Sequence, residues 1–191
     1  MNKVILDDIM GLPAYEKVRE KFLGPIIALK QKRRVSVGDR VSLVFENRDT
    51  AIFQIQEMLR AERITDLDRI REEIEIYNSL IPEPGELSAT LFLEFEDQTY
   101  LRDELLKFLG IDEAVFLKVD GHSIQARFEE GHSKEDKISA VQYAKFPFTA
   151  DERAAFAGSA EATLSVDHPN YQAQVRLEAE TRESLLADLL G

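Results

Sequence analysis

Cysteine is missing from all 191 residues, and its absence removes three classes of chemistry together: thiolate zinc sites, cysteine nucleophiles and cysteine-ligated iron–sulfur clusters. No disulfide can brace the chain, so any metal site would have to be built from carboxylates and the three histidines. Nowhere does an apolar run approach the roughly 18 residues that a membrane-spanning helix needs, so no membrane is predicted as a partner. The N-terminal MNKVILDDIMGLP reaches Asp7 and Asp8 after a short apolar-leaning start. It lacks the apolar region of a signal peptide, which predicts a cytoplasmic protein. Also missing are a Gly-rich phosphate loop, a G-x-S-x-G elbow, a dinucleotide fingerprint, internal repeats, low-complexity stretches and a flexible linker.

What is present is the composition of a globular chain, 44% hydrophobic and 31% charged. The length suits one domain over residues 1–191, with 82–86 as the place for a weak subdivision. The net charge of −12 is unevenly spread. Residues 1–40 hold nine Lys/Arg against five Asp/Glu, a net +4, and the rest hold fifteen against thirty-one, a net −16. An acidic body argues against nucleic acid as the main partner, because affinity for phosphate backbones is built from cations.

Periodicity predicts the elements. Pro13 to Arg34 reads as helix with Val18, Phe22, Ile26 and Leu29 near one face, but Gly24-Pro25 is expected to split it into two short helices. Val35–Val37 and Val41–Glu46 read as strands about the Gly38-Asp39 turn. Asn47 or Asp49 can then cap a helix from Thr50 to Arg63 with Ile52, Ile55 and Leu59 buried. Thr65 is read as the cap of a further helix whose stripe is Leu67, Ile70, Ile74 and Tyr77, stopped by Pro82.

Alternation dominates the second half. Strands are predicted at Leu87–Glu96, Ser139–Phe148, Ala160–Val166 and Tyr171–Leu177. A hairpin spans Val115–Phe128 about Asp120-Gly121, a pair suited to a type I′ turn. Helices are predicted at Asp97–Leu109, after the Thr149–Glu152 capping box, and at Thr181–Leu190. The summed pattern is α+β: largely antiparallel or mixed sheet in the second half, with the helices of the first half packed on it.

Three constellations can carry chemistry. The basic run Lys30, Lys32, Arg33, Arg34 and Arg40 is read mainly as the cationic end of a helix, which its dipole favours. After Phe45-Glu46-Asn47-Arg48-Asp49-Thr50, the helix places Thr50, Gln54, Glu57 and Ala61 on one polar stripe beside Gln56 and Arg60. Either this is a solvated face with Glu57 and Arg60 as an ordinary pair, or Arg48, Gln54, Glu57 and Arg60 line a polar pocket for a ligand or partner. His122, His132 and His168 fall in or beside turns and are read as surface residues. No spacing puts two ligands on one helical face, so no metal and no cofactor are predicted.

FENRDTAIFQIQEMLRAERI (45–64), YNSLIPEPGELSATLFLEFED (77–97), SKEDKISAVQYAKF (133–146) and VDHPNY (166–171) together resemble the bacterial family known as domain of unknown function 3501. The resemblance covers nearly the whole chain in order. It implies no assigned activity, cofactor or catalytic residue. It does imply a redox or peroxide-response setting, with a redox or di-iron protein as the kind of partner, since members are encoded near rubrerythrin and iron–sulfur proteins. The function itself is not read from the sequence. Three readings stand: a non-enzymatic accessory or interaction protein first, an enzyme or small-ligand binder with the polar pocket second, and a nucleic-acid-binding regulator third.

Overall fold

A computed structural model describes residues 1–95, 99, 101–129, 133–134 and 137–190. Six α-helices are described: α1 Leu12–Lys32, α2 Arg48–Ala61, α3 Leu67–Asn78, α4 Leu101–Leu106, α5 Ala150–Gly158 and α6 Ala179–Leu190. A 3-10 turn at Leu6–Asp8 precedes them and another, Ile111–Glu113, follows α4. The strands are β1 Arg34–Val37, β2 Val41–Glu46, β3 Glu86–Leu93, β4 Val115–Val119, β5 His122–Gln125, β6 Arg127–Phe128, β7 Ser133–Lys134, β8 Lys137–Ile138, β9 Val141–Pro147, β10 Thr163–His168 and β11 Tyr171–Arg176. Every described pairing is antiparallel: a five-stranded sheet in the order β1-β2-β3-β9-β6, a four-stranded sheet in the order β11-β10-β4-β5, and the small β7-β8 pair. The fold is α+β. Its larger sheet takes in the β1–β2 hairpin from the first half of the chain as well as strands from the second.

Strand parity explains how the two sheets meet, since successive side chains point to opposite faces. From the larger sheet, Val35, Val37, Val41, Leu43, Phe45, Leu87, Ala89, Leu91, Ala144 and Phe146 enter one apolar cluster. Leu117, Val119, Ile124, Leu164 and Val166 of the smaller sheet, Phe156 of α5, and Leu185 and Leu189 of α6 complete it. A second cluster lies among the first-half helices, with Val4, Ala51, Ile55, Leu59, Ile64, Ile74 and Ile81. The residues of opposite parity on the larger sheet, Ser42, Val44, Glu46, Ser88, Thr90, Phe92, Tyr143 and Lys145, therefore face away from the main core.

The caps of α2 and α5 follow the sequence signals. Asn47 Oδ1 accepts from the Thr50 N–H at 3.0 Å while Thr50 Oγ1 accepts from the Asn47 N–H at 2.9 Å, opening α2. Thr149 and Glu152 reciprocate in the same way at α5. Asp120 and Gly121 both have positive φ, 46° and 80°, as a type I′ turn requires.

Three expectations are corrected. α1 runs unbroken through Gly24-Pro25. Proline removes one N–H, and both Pro25 and Lys21, whose carbonyl loses that donor, are on the exposed side of the helix. The cap of α3 is Asp66, whose carboxylate accepts from the Asp68 and Arg69 N–H groups, rather than Thr65. Leu67, expected in the buried stripe, is exposed, because it sits in the first turn of α3 ahead of the contact that buries Ile74. Residues 96–98 and 100, at the expected start of the helix ending at Leu109, lie outside the described residues, as does His132. Among the described residues no helix is long and apolar enough to cross a membrane.

Candidate functional site

The polar stripe of α2 does not converge on a single point. Glu57 faces α1: Arg19 donates to it twice, Nε to Oε1 and Nη2 to Oε2, both at 2.8 Å, and the Tyr15 hydroxyl donates to Oε1 at 2.8 Å. The Arg19 guanidinium above all holds the Glu57 carboxyl below the ordinary range, against the opposing effect of burial. Burial, with Glu57 as second cause, pushes the Tyr15 phenol well above its ordinary value. Arg60 joins this cluster, 3.0 Å from Glu16 and 3.9 Å from Glu57. Arg48 points elsewhere, to Asp8 in the first 3-10 turn. Thr50 and Gln56 are buried, Thr50 in the cap and Gln56 in a reciprocal pair of bonds with the Met10 main chain. Gln54 alone turns toward the larger sheet, where its Nε2 donates to Glu46 Oε2 at 3.0 Å.

That contact leads to a cleft of about 310 Å³ between α1, α2 and the outward face of the sheet, at the lower end of the range for ligand pockets. Its floor consists of the buried Val44, Glu46 and Thr90; Phe92, Tyr143, Gln54 and Lys30 form the walls; Ile27, Gln31, Arg34 and Val141 form the exposed rim. The register explains the floor, because Val44 pairs with Thr90 and Thr90 with Tyr143, so their side chains stand in one row across three strands.

Glu46 is only 2% exposed. Its Oε1 accepts from Thr90 Oγ1 at 2.7 Å and its Oε2 from Gln54 Nε2, so the described residues fill about half of the carboxylate's acceptor sites. Among the described residues no lysine or arginine forms an ion pair with it. The nearest buried guanidinium, Arg33, donates to the Glu46 carbonyl at 3.2 Å rather than to the carboxylate. A buried carboxylate held only by neutral donors is an uncommon arrangement, since burying a charge is costly without an opposite charge. Strand parity could have found it: in VSLVFE the apolar core positions are 41, 43 and 45, which puts Glu46 on the other face at the end of an otherwise buried strand.

A second cavity, about 400 Å³, lies between α1 and α2 and is almost wholly apolar, lined by Tyr15, Phe22, Ile26, Leu29, Ile52 and Phe53 among others. Ile52, expected to be buried, is half-buried on this groove.

The basic run is not a single patch. Arg33 is 1% exposed and held by Phe45 O, Ser184 Oγ, Glu46 O and Asp188. Arg34 pairs with Glu94, and Arg40 lies 3.6 Å from both Asp39 and Glu104. His168, read as a surface residue, is buried: Nε2 meets the Leu109 carbonyl at 2.8 Å, Nδ1 accepts from the Asn170 N–H at 3.2 Å, and the ring stacks on Phe108. Nδ1 thus holds the β10–β11 turn and Nε2 ties it to the segment after α4. Among the described residues no group of three or more His, Asp or Glu stands together as a metal site.

A family model described as a protein of unknown function, DUF3501, matches residues 3–189. A crystal structure described as a novel protein of unknown function, from Burkholderia pseudomallei K96243, is 34% identical; the match covers 98% of this chain and 100% of that one with a TM-score of 0.92. No curated protein matches.

Proposed function

We propose, for a chain that belongs to the DUF3501 family of proteins of unknown function, that it binds a small ligand in the cleft floored by Glu46. One observation carries the reading: a buried carboxylate, positioned by Thr90 and Gln54, lines an open cleft and has no cationic partner among the described residues. A polar group of this kind, set among apolar walls, is what fixes the orientation of a bound molecule. Of the four residues read from the sequence as a ligand site, Gln54 contributes by holding Glu46. Arg48, Glu57 and Arg60 act in this reading as the ion pairs that seat α2 against α1 and the N-terminal turn.

The test is an amide-resonance map of the protein mixed with neutral, cationic, anionic and zwitterionic fragments. At least one class should shift the resonances of Val44, Thr90 and Phe92. If none does, while the α1–α2 groove takes up fragments, the reading is wrong.

A protein partner is a second reading, favoured by Phe22 and Ile27, which leave large apolar side chains exposed along α1. The redox or di-iron partner implied by the family's gene context would dock there. A binary binding assay with such a protein should then lose its signal on replacing Phe22 and Ile27 by serine.

A further inference from the structure

The geometry points to the class of ligand: a short zwitterion with an ammonium at one end, a carboxylate at the other and an apolar chain between, as in an ω-amino acid. This rests on the cleft being a ligand site. The ammonium would donate to the remaining acceptor sites of Glu46 on the floor. The carboxylate would meet Lys30 and Arg34 higher in the cleft, and the chain would lie along Val44 and Phe92.

The charges of the cleft decide between the ligand classes. A neutral ligand would leave the buried Glu46 carboxylate without the opposite charge it lacks in the free protein. An inorganic divalent cation needs several oxygen or nitrogen ligands, and among the described residues no three His, Asp or Glu side chains stand together. A simple organic cation satisfies Glu46 but must share a small cleft with Lys30, whose like charge opposes it and has no ion pair among the described residues.

Lys30 has charge to offer an anion, and Arg34, its charge met by Glu94, has donors to offer. Lys30 is half-buried with its Nζ 5.8 Å from the centre of the Phe53 ring, and it has no ion pair among the described residues. Arg34 uses Nη1 for both Ser42 Oγ and Glu94 Oε1 at 2.8 Å, and its guanidinium lies over the Phe92 ring. Among the described residues its Nη2 and Nε donors have no partner, which leaves them for an anionic group at the rim. A molecule with both charges answers floor and rim together, through charge-assisted hydrogen bonds at each end.

The experiment titrates the unmodified protein with the ω-amino acids from aminobutanoate to aminohexanoate, with pentylamine, with pentanoate and with neutral pentanamide, following the amide resonances of Val44, Thr90 and Phe92. One ω-amino acid should bind at least about tenfold more tightly than pentylamine or pentanoate. Glu46→Gln should abolish its advantage over pentanoate, and Lys30→Met, on the cleft wall, should abolish its advantage over pentylamine. The probe series on the unmodified protein reads the ligand class independently of either variant. If pentanamide or pentylamine binds as tightly as every ω-amino acid, the ligand class is wrong while the cleft remains a binding site. If no probe and no other fragment shifts these resonances, both the class and the site are wrong.

Discussion

Arg33 donates to the main-chain carbonyl of Glu46 at 3.2 Å, yet its charge is met by the carboxylate of Asp188 on α6. The buried guanidinium thus meets the carboxylate of Asp188 but only the main chain of Glu46. The Arg33–Asp188 pair joins the end of α1, the end of β2 and α6. Among the described residues the Glu46 carboxylate is held by Thr90 and Gln54 alone.

The pair itself is testable. Arg33→Ala or Asp188→Ala should each lower the unfolding free energy by about 3–5 kcal/mol, because each leaves a buried charge alone. The double replacement Arg33→Met with Asp188→Leu should lose less than either. Urea unfolding of the four proteins makes the comparison.

Two turn glycines should respond differently to alanine. Gly121 has φ 80° and open space around it, so Gly121→Ala should cost only backbone strain, about 1–2 kcal/mol. At Gly38, φ 75°, an added Cβ would lie 2.2 Å from the Tyr171 hydroxyl. That hydroxyl donates to Val37 O at 2.6 Å and accepts from the Arg40 N–H at 3.1 Å, tying the β1–β2 hairpin to β11. Gly38→Ala should therefore be the more damaging by about 1–2 kcal/mol, the net value of those two bonds. Thermal unfolding of both variants checks the order.

Much of this architecture was legible in the sequence because it rests on local rules. Alternation in VSLVFE and LSATLFL, the Asp120-Gly121 pair and the Thr149–Glu152 box each specify their own geometry. Residues whose state depends on distant partners were not legible. Arg33 reads as one more cation in a basic run, and nothing within that run reveals Asp188, 155 positions away. His168 reads as a turn histidine, since the Phe108 ring and Leu109 carbonyl that bury it belong to another segment. For Glu46, parity within VSLVFE gives the face, but its partners Thr90 and Gln54 follow only from the pairing with β3 and the placement of α2.

The buried half of α2 gives a direct core test. Leu59 is buried with Ile55 in the helical cluster, whereas Ile52 lines the groove. Leu59→Ala should cost about 2–5 kcal/mol, and Ile52→Ala should fall at or below the lower end of that range, since its side chain leaves less of a cavity. Denaturant midpoints at a constant slope would show it.

Glu57 predicts a pH dependence. Its folded pKa lies below the ordinary 4.5, chiefly through Arg19, so the unfolded chain takes up the proton first. The stabilisation is complete above the ordinary value and is lost as pH falls through the lower, folded one. Glu57→Gln should be less stable than the parent at pH 7 by about 1 kcal/mol or somewhat more, rather than the near-zero change of a solvated face. The gap should shrink steadily below about pH 4.5. A gap constant across that range would show that the ion pair contributes nothing.

The measurement closest to the central claim is the stability of Glu46→Gln at pH 7, without any ligand. If Glu46 is kept for binding, it is a buried charge that the free protein holds at a cost. Glutamine, which preserves the shape and can still accept from Thr90 or Gln54, should then leave the unfolding free energy unchanged or raise it, by up to about 2 kcal/mol. A loss of about 2 kcal/mol or more would mean that the carboxylate is a latch between α2 and the sheet. The claim that the cleft is built around an unmatched charge would be contradicted.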